Sequence, residues 1–456
     1  MIWRRRDILG MLAAAPAAAA ADPLRLTIAQ ASTLIRTRQL SPVELTRLSL
    51  ARIEARGTEL HAFITVTAEQ ALADAKALEK QKPRGPLHGI PIALKDLYDT
   101  KGIRTTAASK VFADRVPTED AEVVRQLKAA GAVIIGKANM DEFAYNYTAE
   151  TSAYGVARNP WNTALSPGGS SGGSAVAVAA GLCFAALGSD TGGSIRLPAS
   201  FCGITGFKPS YGRLSTRGVL PLAWSLDTVG PMTRSAEDAA LLFQAMGGNT
   251  VAPSGQLRFG IPRKPFFDQL EAETAHLVEA ALRHFPGARE VPFPTIAPSP
   301  EVPELTRPYL RVINAEAYAY HQPQLAANSA AYNPQTLQNI NNGAAITAWD
   351  YIHARREMDR LRESAAQLFP GVDLLLTPTA PGPAFPLGKP GSLLFLRNTA
   401  LWNLFGLPTI SVPCGYTKEG WPVGLQITGR HGADALVLAA AARFEKLVPA
   451  RPLESK

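Results

Sequence analysis

Between Ser166 and Ser174 the chain reads Ser-Pro-Gly-Gly-Ser-Ser-Gly-Gly-Ser, and the apolar stretch Ala175 to Ala180 follows with no polar spacer. No other feature restricts the fold as much. A Gly/Ser-rich tract by itself would be a flexible linker. Here Pro167 stiffens the approach, and the glycines run straight into a hydrophobic element. Glycines in that setting serve unusual backbone angles and close backbone approach. A second segment, Gly188-Ser189-Asp190-Thr191-Gly192-Gly193-Ser194-Ile195-Arg196, lies shortly downstream. Its glycines read as a turn over 188–193. The fold must therefore hold two glycine-rich loops against packed apolar elements.

The flanking sequence supplies those elements. Ile90 to Leu94 is a short apolar run ending in Lys95-Asp96 and reads as a buried strand. Glu122 to Ala130 is an amphipathic helix closed by Gly131, and Ala132 to Ile135 is the next strand. This alternation argues for a sheet with helices on its faces. Ser41-Pro42 starts a helix, Glu69 to Gln81 reads as an exposed helix, and Ala348 to Leu368 as a long one ended by Pro370-Gly371. Short apolar strands are expected around Leu374, Ile410 and Leu425, and residues 252–308 read as Pro-rich and irregular.

Composition narrows the chemistry. The 456 residues are 46% hydrophobic and 18% charged, which excludes wholesale disorder. The formal charge is +8, but no Lys/Arg run exists beyond Arg4-Arg5-Arg6, so nucleic-acid binding has little support. Three cysteines form no CxxC and seven histidines form no HExxH, so no metal site or cofactor is expected. A phosphate-binding loop needs lysine where Ser194 stands. Gly168 to Gly172 matches the G-x-S-x-G elbow, which would want a later histidine such as His431, but a Gly/Ser tract produces that match easily by chance. A third chemistry uses lysine as base: a serine hydroxyl needs a partner to take its proton, and a desolvated neutral lysine can do so. Lys95 ends an apolar strand, an odd place for a solvated lysine, although a strand-end surface lysine is the ordinary alternative.

Lys95 does not stand alone. Gly89 to Asp96, Gly136 to Phe143, the 166–174 loop and the 188–198 segment together resemble the amidase signature family, as do Gly206-Phe207-Lys208-Pro209-Ser210, Asp227 to Pro231, Thr377-Pro378-Thr379, Gly406-Leu407-Pro408 and Pro422 to Gln426. The resemblance spans roughly residues 26–445. It implies an α/β fold, a mixed twisted sheet core flanked by helices on both faces. It implies one domain over 22–456, made of a helical part (22–82), a signature core (83–250) and a pocket and C-terminal part (251–456). It also implies a Ser–cis-Ser–Lys triad, with Lys95 as base, Ser170 as the bridging serine after a cis peptide, and Ser194 as nucleophile. The backbone N–H groups of Thr191, Gly192, Gly193 and Ser194 would form an oxyanion hole, where one donor is typically worth ~3 kcal/mol. Ser171, Asp190 and Arg196 would brace the site. A lysine base implies an alkaline optimum unless burial lowers its pKa from about 10.4.

In the family branch that draws ammonia from glutamine for charged transfer RNA, an arginine before the long helix and an aspartate upstream of Gly-Leu-Pro grip the substrate. The corresponding stretches here, Gln338 to Gly343 and Leu394 to Asn398, show neither. The expected substrate is instead a small, relatively apolar amide, ester or carbamate. Tyr145, Asn146, Tyr147 and Trp402 are expected around it, with Phe405 close by. Oligomeric state is left open.

The amino terminus reads as an address. Arg5-Arg6-Asp7-Ile8-Leu9 resembles the twin-arginine pattern, the tract to Ala21 is apolar, and Ala19-Ala20-Ala21 offers small residues for cleavage. Residues 1–21 are thus expected to be an export signal, and the protein periplasmic or secreted. The tract is too short and too Ala-rich for a stable membrane span.

Overall fold

The computed structural model describes residues 22–252, 255–389 and 392–451; the expected export signal lies outside them. Among these residues the strands form one eleven-stranded mixed sheet. Its strands are β1 (Phe63–Val66), β2 (Pro91–Lys95), β3 (Val133–Ala138), β4 (Ala185–Asp190), β5 (Thr205–Lys208), β6 (Thr228–Thr233), β7 (Phe259–Ile261), β8 (Arg289–Glu290), β9 (Leu374–Pro378), β10 (Thr409–Tyr416) and β11 (Pro422–Gly429). Their order is β1-β3-β2-β4-β6-β5-β10-β11-β9-β7-β8. β2 is parallel to both β3 and β4, so all three carboxyl ends meet at one edge of the sheet. Ligands in open α/β sheets gather at such an edge.

Strand alternation explains why both faces are covered. Ile92 and Leu94 of β2 and Leu187 of β4 pack into one apolar cluster, whereas Ala93 and Ala186 join the other. Successive side chains of a strand point to opposite faces. The helix Gly172–Ala179 packs with Ala93 in the second cluster, and Lys95, two residues after Ala93, reaches the loop that leads into that helix. Every residue of that helix is buried, in keeping with its apolar surface all round.

Three expectations are corrected. The apolar helix begins at Gly172, inside the glycine tract, not at Ala175. The glycine turn does not span 188–193: Gly188, Ser189 and Asp190 pair with Gly230, Val229 and Thr228 of β6, which draws them into β4. Only the residues after Asp190 turn, before the helix Arg196–Cys202. The segment 252–308 is not wholly irregular, because it contains β7, the helix Ala272–Leu282 and β8. The long helix is as expected, Ala348–Ser364 extended by a 3₁₀ turn at Ala365–Leu368. Among the described residues no helix is long and apolar enough to cross a membrane.

Candidate active site

Lys95 closes β2 and is fully buried. Its Nζ lies 2.7 Å from Ser170 Oγ and 2.8 Å from Ser189 Oγ. Ser170 sits on the loop just before the helix Gly172–Ala179, and the Gly169–Ser170 peptide is cis. Ser194 lies on the turn after β4. The N–H of Ser171 donates to Ser194 O at 3.2 Å, which ties the two loops together. Ser194 Oγ makes no hydrogen bond among the described residues and lines a cavity of about 630 Å³.

Burial lowers the Lys95 ammonium to about 7, against the attraction of the Asp141, Asp190 and Asp227 carboxylates. Asp141 lies on the loop after β3 and is itself pushed up to about 6 by burial. Its N–H donates to Ser170 O at 3.1 Å, and its carboxylate collects the N–H of Ala149 at 2.9 Å and the hydroxyl of Thr151 at 3.0 Å. It thereby pins the loop carrying Ser170.

Asp190 and Arg196 form a fully buried ion pair at the base of the turn. All five guanidinium N–H groups are used. Nε and Nη2 reach Asp190 at 3.0 and 2.8 Å, Nη2 also reaches Asn403 at 2.7 Å, and Nη1 serves Gln426 at 2.9 Å and Thr399 O at 3.1 Å. The Asp190 carboxylate accepts the N–H of Gly193 at 2.8 Å and of Ile195 at 3.1 Å. Burial would raise its pKa, but the Arg196 charge outweighs it and holds the carboxyl at about 2. The Asp190 carboxylate stays ionised, and the turn folds around it. Ser171 braces the neighbouring strand end, its Oγ donating to Ser189 O at 3.2 Å.

The turn exposes three amides. The N–H groups of Thr191, Gly192 and Ser194 have no hydrogen-bond partner among the described residues, whereas that of Gly193 is taken by Asp190. This corrects the expected quartet of donors to three. The glycines answer to neighbours. A Cβ on Gly192 would fall 2.0 Å from Tyr309 Oη. Gly193 adopts φ +131°, and a Cβ there would meet Thr399 Oγ1 at 2.2 Å. Side chains on the turn are also tied. Thr191 Oγ1 donates to Asp227 at 2.6 Å, and Thr399 Oγ1 donates to Gly192 O at 2.6 Å.

Tyr145, Asn146 and Tyr147 line the cavity together with Thr191, Gly192 and Ser194. The Tyr145 hydroxyl bonds Asn314, and Asn339 Nδ2 donates to Tyr145 O at 3.0 Å. Trp402 is elsewhere. Its ring stacks on Phe266 at 4.9 Å with an interplanar angle of 2°, inside an apolar cluster that also holds Phe405. Both are core residues: Trp402 and the capping Phe405 sit on the side of the helix Leu394–Leu404 away from the cavity, which Leu396 and the preceding Leu393 line instead. His431 is exposed and bonded to Tyr211 O at 3.1 Å, remote from the elbow reading. Sequence reasoning missed Ser189, Asp141 and Tyr309. Ser189 was in plain view in the second glycine segment, whereas Tyr309 carries no motif. Among the described residues no group of three or more His, Cys, Asp or Glu side chains could hold a metal ion.

Comparison with known proteins gives the family. A family model described as Amidase matches residues 44–438. A glutamyl-tRNA(Gln) amidotransferase subunit from Moorella thermoacetica is 40% identical over 471 aligned positions, covering 92% of this chain and 96% of that protein. A crystal structure of an amidase superposes with a TM-score of 0.85 at 36% identity, covering 92% of this chain and 100% of the other. The native peptide amidase from Stenotrophomonas maltophilia superposes with a TM-score of 0.79 at 29% identity, covering 94% and 98%.

Proposed function

The chain belongs to the amidase signature family, enzymes that act on C–N bonds, and from that premise we propose that it hydrolyses neutral, relatively apolar amides through an acyl-enzyme on Ser194. The observation that carries this reading is the buried Lys95 Nζ at 2.7 Å from Ser170 Oγ, one loop away from the cavity-lining Ser194.

Ser194 Oγ attacks the carbonyl carbon and gives its proton to Ser170, which passes its own to neutral Lys95. With the ammonium at about 7, about half of the lysine is neutral near pH 7, so no stronger base is needed. The free N–H groups of Thr191, Gly192 and Ser194 stabilise the oxyanion. The C–N bond breaks as the leaving nitrogen takes the proton back along the same path. Water then cleaves the Ser194 ester by the reverse relay. Esters and carbamates fit the same steps, with an oxygen leaving group where required.

The cavity walls favour an apolar acyl or leaving group. Leu305, Leu310, Ile313, Leu393 and Leu396 line them. The charged lining is Glu301, Arg307 and Arg311, the last paired with Asp350 at 2.7 Å.

The identity to an amidotransferase subunit favours a second reading, in which glutamine is the substrate and the chain works with partners on charged transfer RNA. Side chains in the two stretches of interest speak against it. Asn339, Asn342 and Leu396 line the cavity, and no acid stands among them. Arg397 instead reaches Asp268 O at 2.5 Å and borders a separate hollow of about 310 Å³. Residues 1–21 are further proposed to direct export, testable by the amino-terminal sequence of the protein recovered from the periplasm.

The test is a panel of chromogenic aryl amides, esters and carbamates run beside glutamine on the purified full chain. Turnover of apolar amides, none of glutamine, and loss of activity in Ser194→Ala support the reading. Glutaminase activity, or co-purifying subunits needed for turnover, would replace it with the second.

A further inference from the structure

The family relay accounts for one hydroxyl on Lys95, but the structure has two. Ser189 Oγ stands 2.8 Å from Lys95 Nζ, against 2.7 Å for Ser170. Lys95 and Ser170 are fully buried, and Ser189 is 5% exposed. The two serines are held differently. Ser170 is on a loop, whereas Ser189 is fixed in β4 opposite Val229 of β6. Its backbone is clamped by Ser171, whose Oγ accepts the Ser189 N–H at 3.3 Å and donates to Ser189 O at 3.2 Å.

A neutral amine has two N–H donors and one lone pair; an ammonium has three donors and no acceptor. Lys95 can take a proton from Ser170 only while its lone pair faces Ser170 Oγ. An amine free to spin would spend much of its time with an N–H in that direction, blocking transfer. After transfer, the ammonium must donate to both hydroxyl oxygens. One assignment serves both states without rearrangement at β4: Ser189 always accepts, and Ser170 alone switches from donor to acceptor.

We propose that Ser189 is a positioning residue of this site, accepting an N–H from Lys95 in both protonation states and so aiming the lone pair at Ser170. The inference rests on the reading of Lys95 as base. The charged groups facing Lys95 are Asp141 from the loop after β3, Asp190 from the end of β4 and Asp227 just before β6. None of them bonds Nζ, and all remain when Ser189 is changed. Loss of the Ser189 acceptor then hurts the ammonium more than the amine, because hydrogen bonds from a charged donor are roughly twice as strong. Lys95 should become more acidic still.

The experiment uses the full-length enzyme with Ser189→Ala and Ser189→Thr. It measures kcat and KM across pH and follows the Lys95 titration by NMR of ¹³C-labelled lysine, assigned with Lys95→Met. For Ser189→Ala the expected result is a kcat lower by about tenfold with KM unchanged. The acid limb of kcat and the Lys95 titration should both move down by about 0.5–1 pH unit. Ser189→Thr, which keeps the hydroxyl, should restore both. A kcat within twofold of the parent, a loss carried by KM, or an unmoved Lys95 titration in folded Ser189→Ala overturns the proposal and leaves the base assignment intact. The NMR readout needs no turnover, so it decides even if activity is lost for another reason. Turnover retained by Lys95→Met would bring down the base assignment, and this proposal with it.

Discussion

Replacing Lys95 with Met should abolish turnover and, at neutral pH, make the protein more stable. Burial lowers the Lys95 ammonium from 10.5 to about 7. At about 1.4 kcal/mol per unit, that gap is a penalty of about 5 kcal/mol on the folded ammonium. The sign follows from proton counting. Unfolded, the lysine keeps its proton to about 10.4; folded, it releases it above about 7. Between those values the unfolded chain binds more protons, so stability rises with pH. Below about pH 7 the penalty is at its full value. Methionine has a similar reach and no charge, but it leaves the Ser170 and Ser189 hydroxyls without their amine partner, at about 1 kcal/mol each. The net is a gain of about 3 kcal/mol at pH 6, shrinking through pH 8–9 and becoming a loss of about 2 kcal/mol once both states are neutral. Thermal melting of parent and variant, paired at pH 6, 8 and 10, reads the trend directly. A melting difference that does not vary with pH would mean that Lys95 titrates alike in both states, and the argument for a neutral amine would fail.

Three further outcomes are expected. In Gly192→Ala, the new Cβ 2.0 Å from Tyr309 Oη should displace the amide turn and lower kcat by about 100-fold or more; adding Tyr309→Phe should recover part of it, and undiminished activity in the single variant would remove this turn as the oxyanion site. Asp190→Ala strands the buried Arg196 guanidinium and should lower stability by about 3–5 kcal/mol in a melt, whereas a neutral effect would mean that the pair does not organise the turn. Trp402→Ala should lower stability by about 3–5 kcal/mol with KM for an amide substrate unchanged, and a large rise in KM would return the indole to the substrate cavity.

The candidate site was legible because its residues sit in contiguous, motif-dense segments. Lys95 ends an apolar strand, and Ser170 and Ser194 stand in glycine runs that a linker would not place against a buried helix. What those segments touch was harder to read. Ser189 meets Lys95 where β2 and β4 end side by side, a contact between distant segments that no local pattern reveals. The Gly193 amide is taken by an acid three residues earlier, which spacing alone does not reveal. The helix Arg307–Asn328 was hidden because Pro323 interrupts its periodicity, although Pro308 in its first turn is a start signal. That helix carries Tyr309, so a cavity wall went unseen with it. Trp402 was misassigned because nearness in sequence to a motif does not determine which face of a helix a residue occupies; Leu396, six residues earlier, points into the cavity instead.

Peptide mass mapping after quenching the enzyme during turnover of a slow aryl carbamate shows whether Ser194 carries an acyl group delivered with the help of Lys95. The expected result is a carbamoyl mass on the peptide containing Ser194, hydroxylamine-labile, and formed far more slowly in Lys95→Ala. An adduct on a different side chain, or full turnover with no adduct and no effect of the Lys95 change, would contradict it.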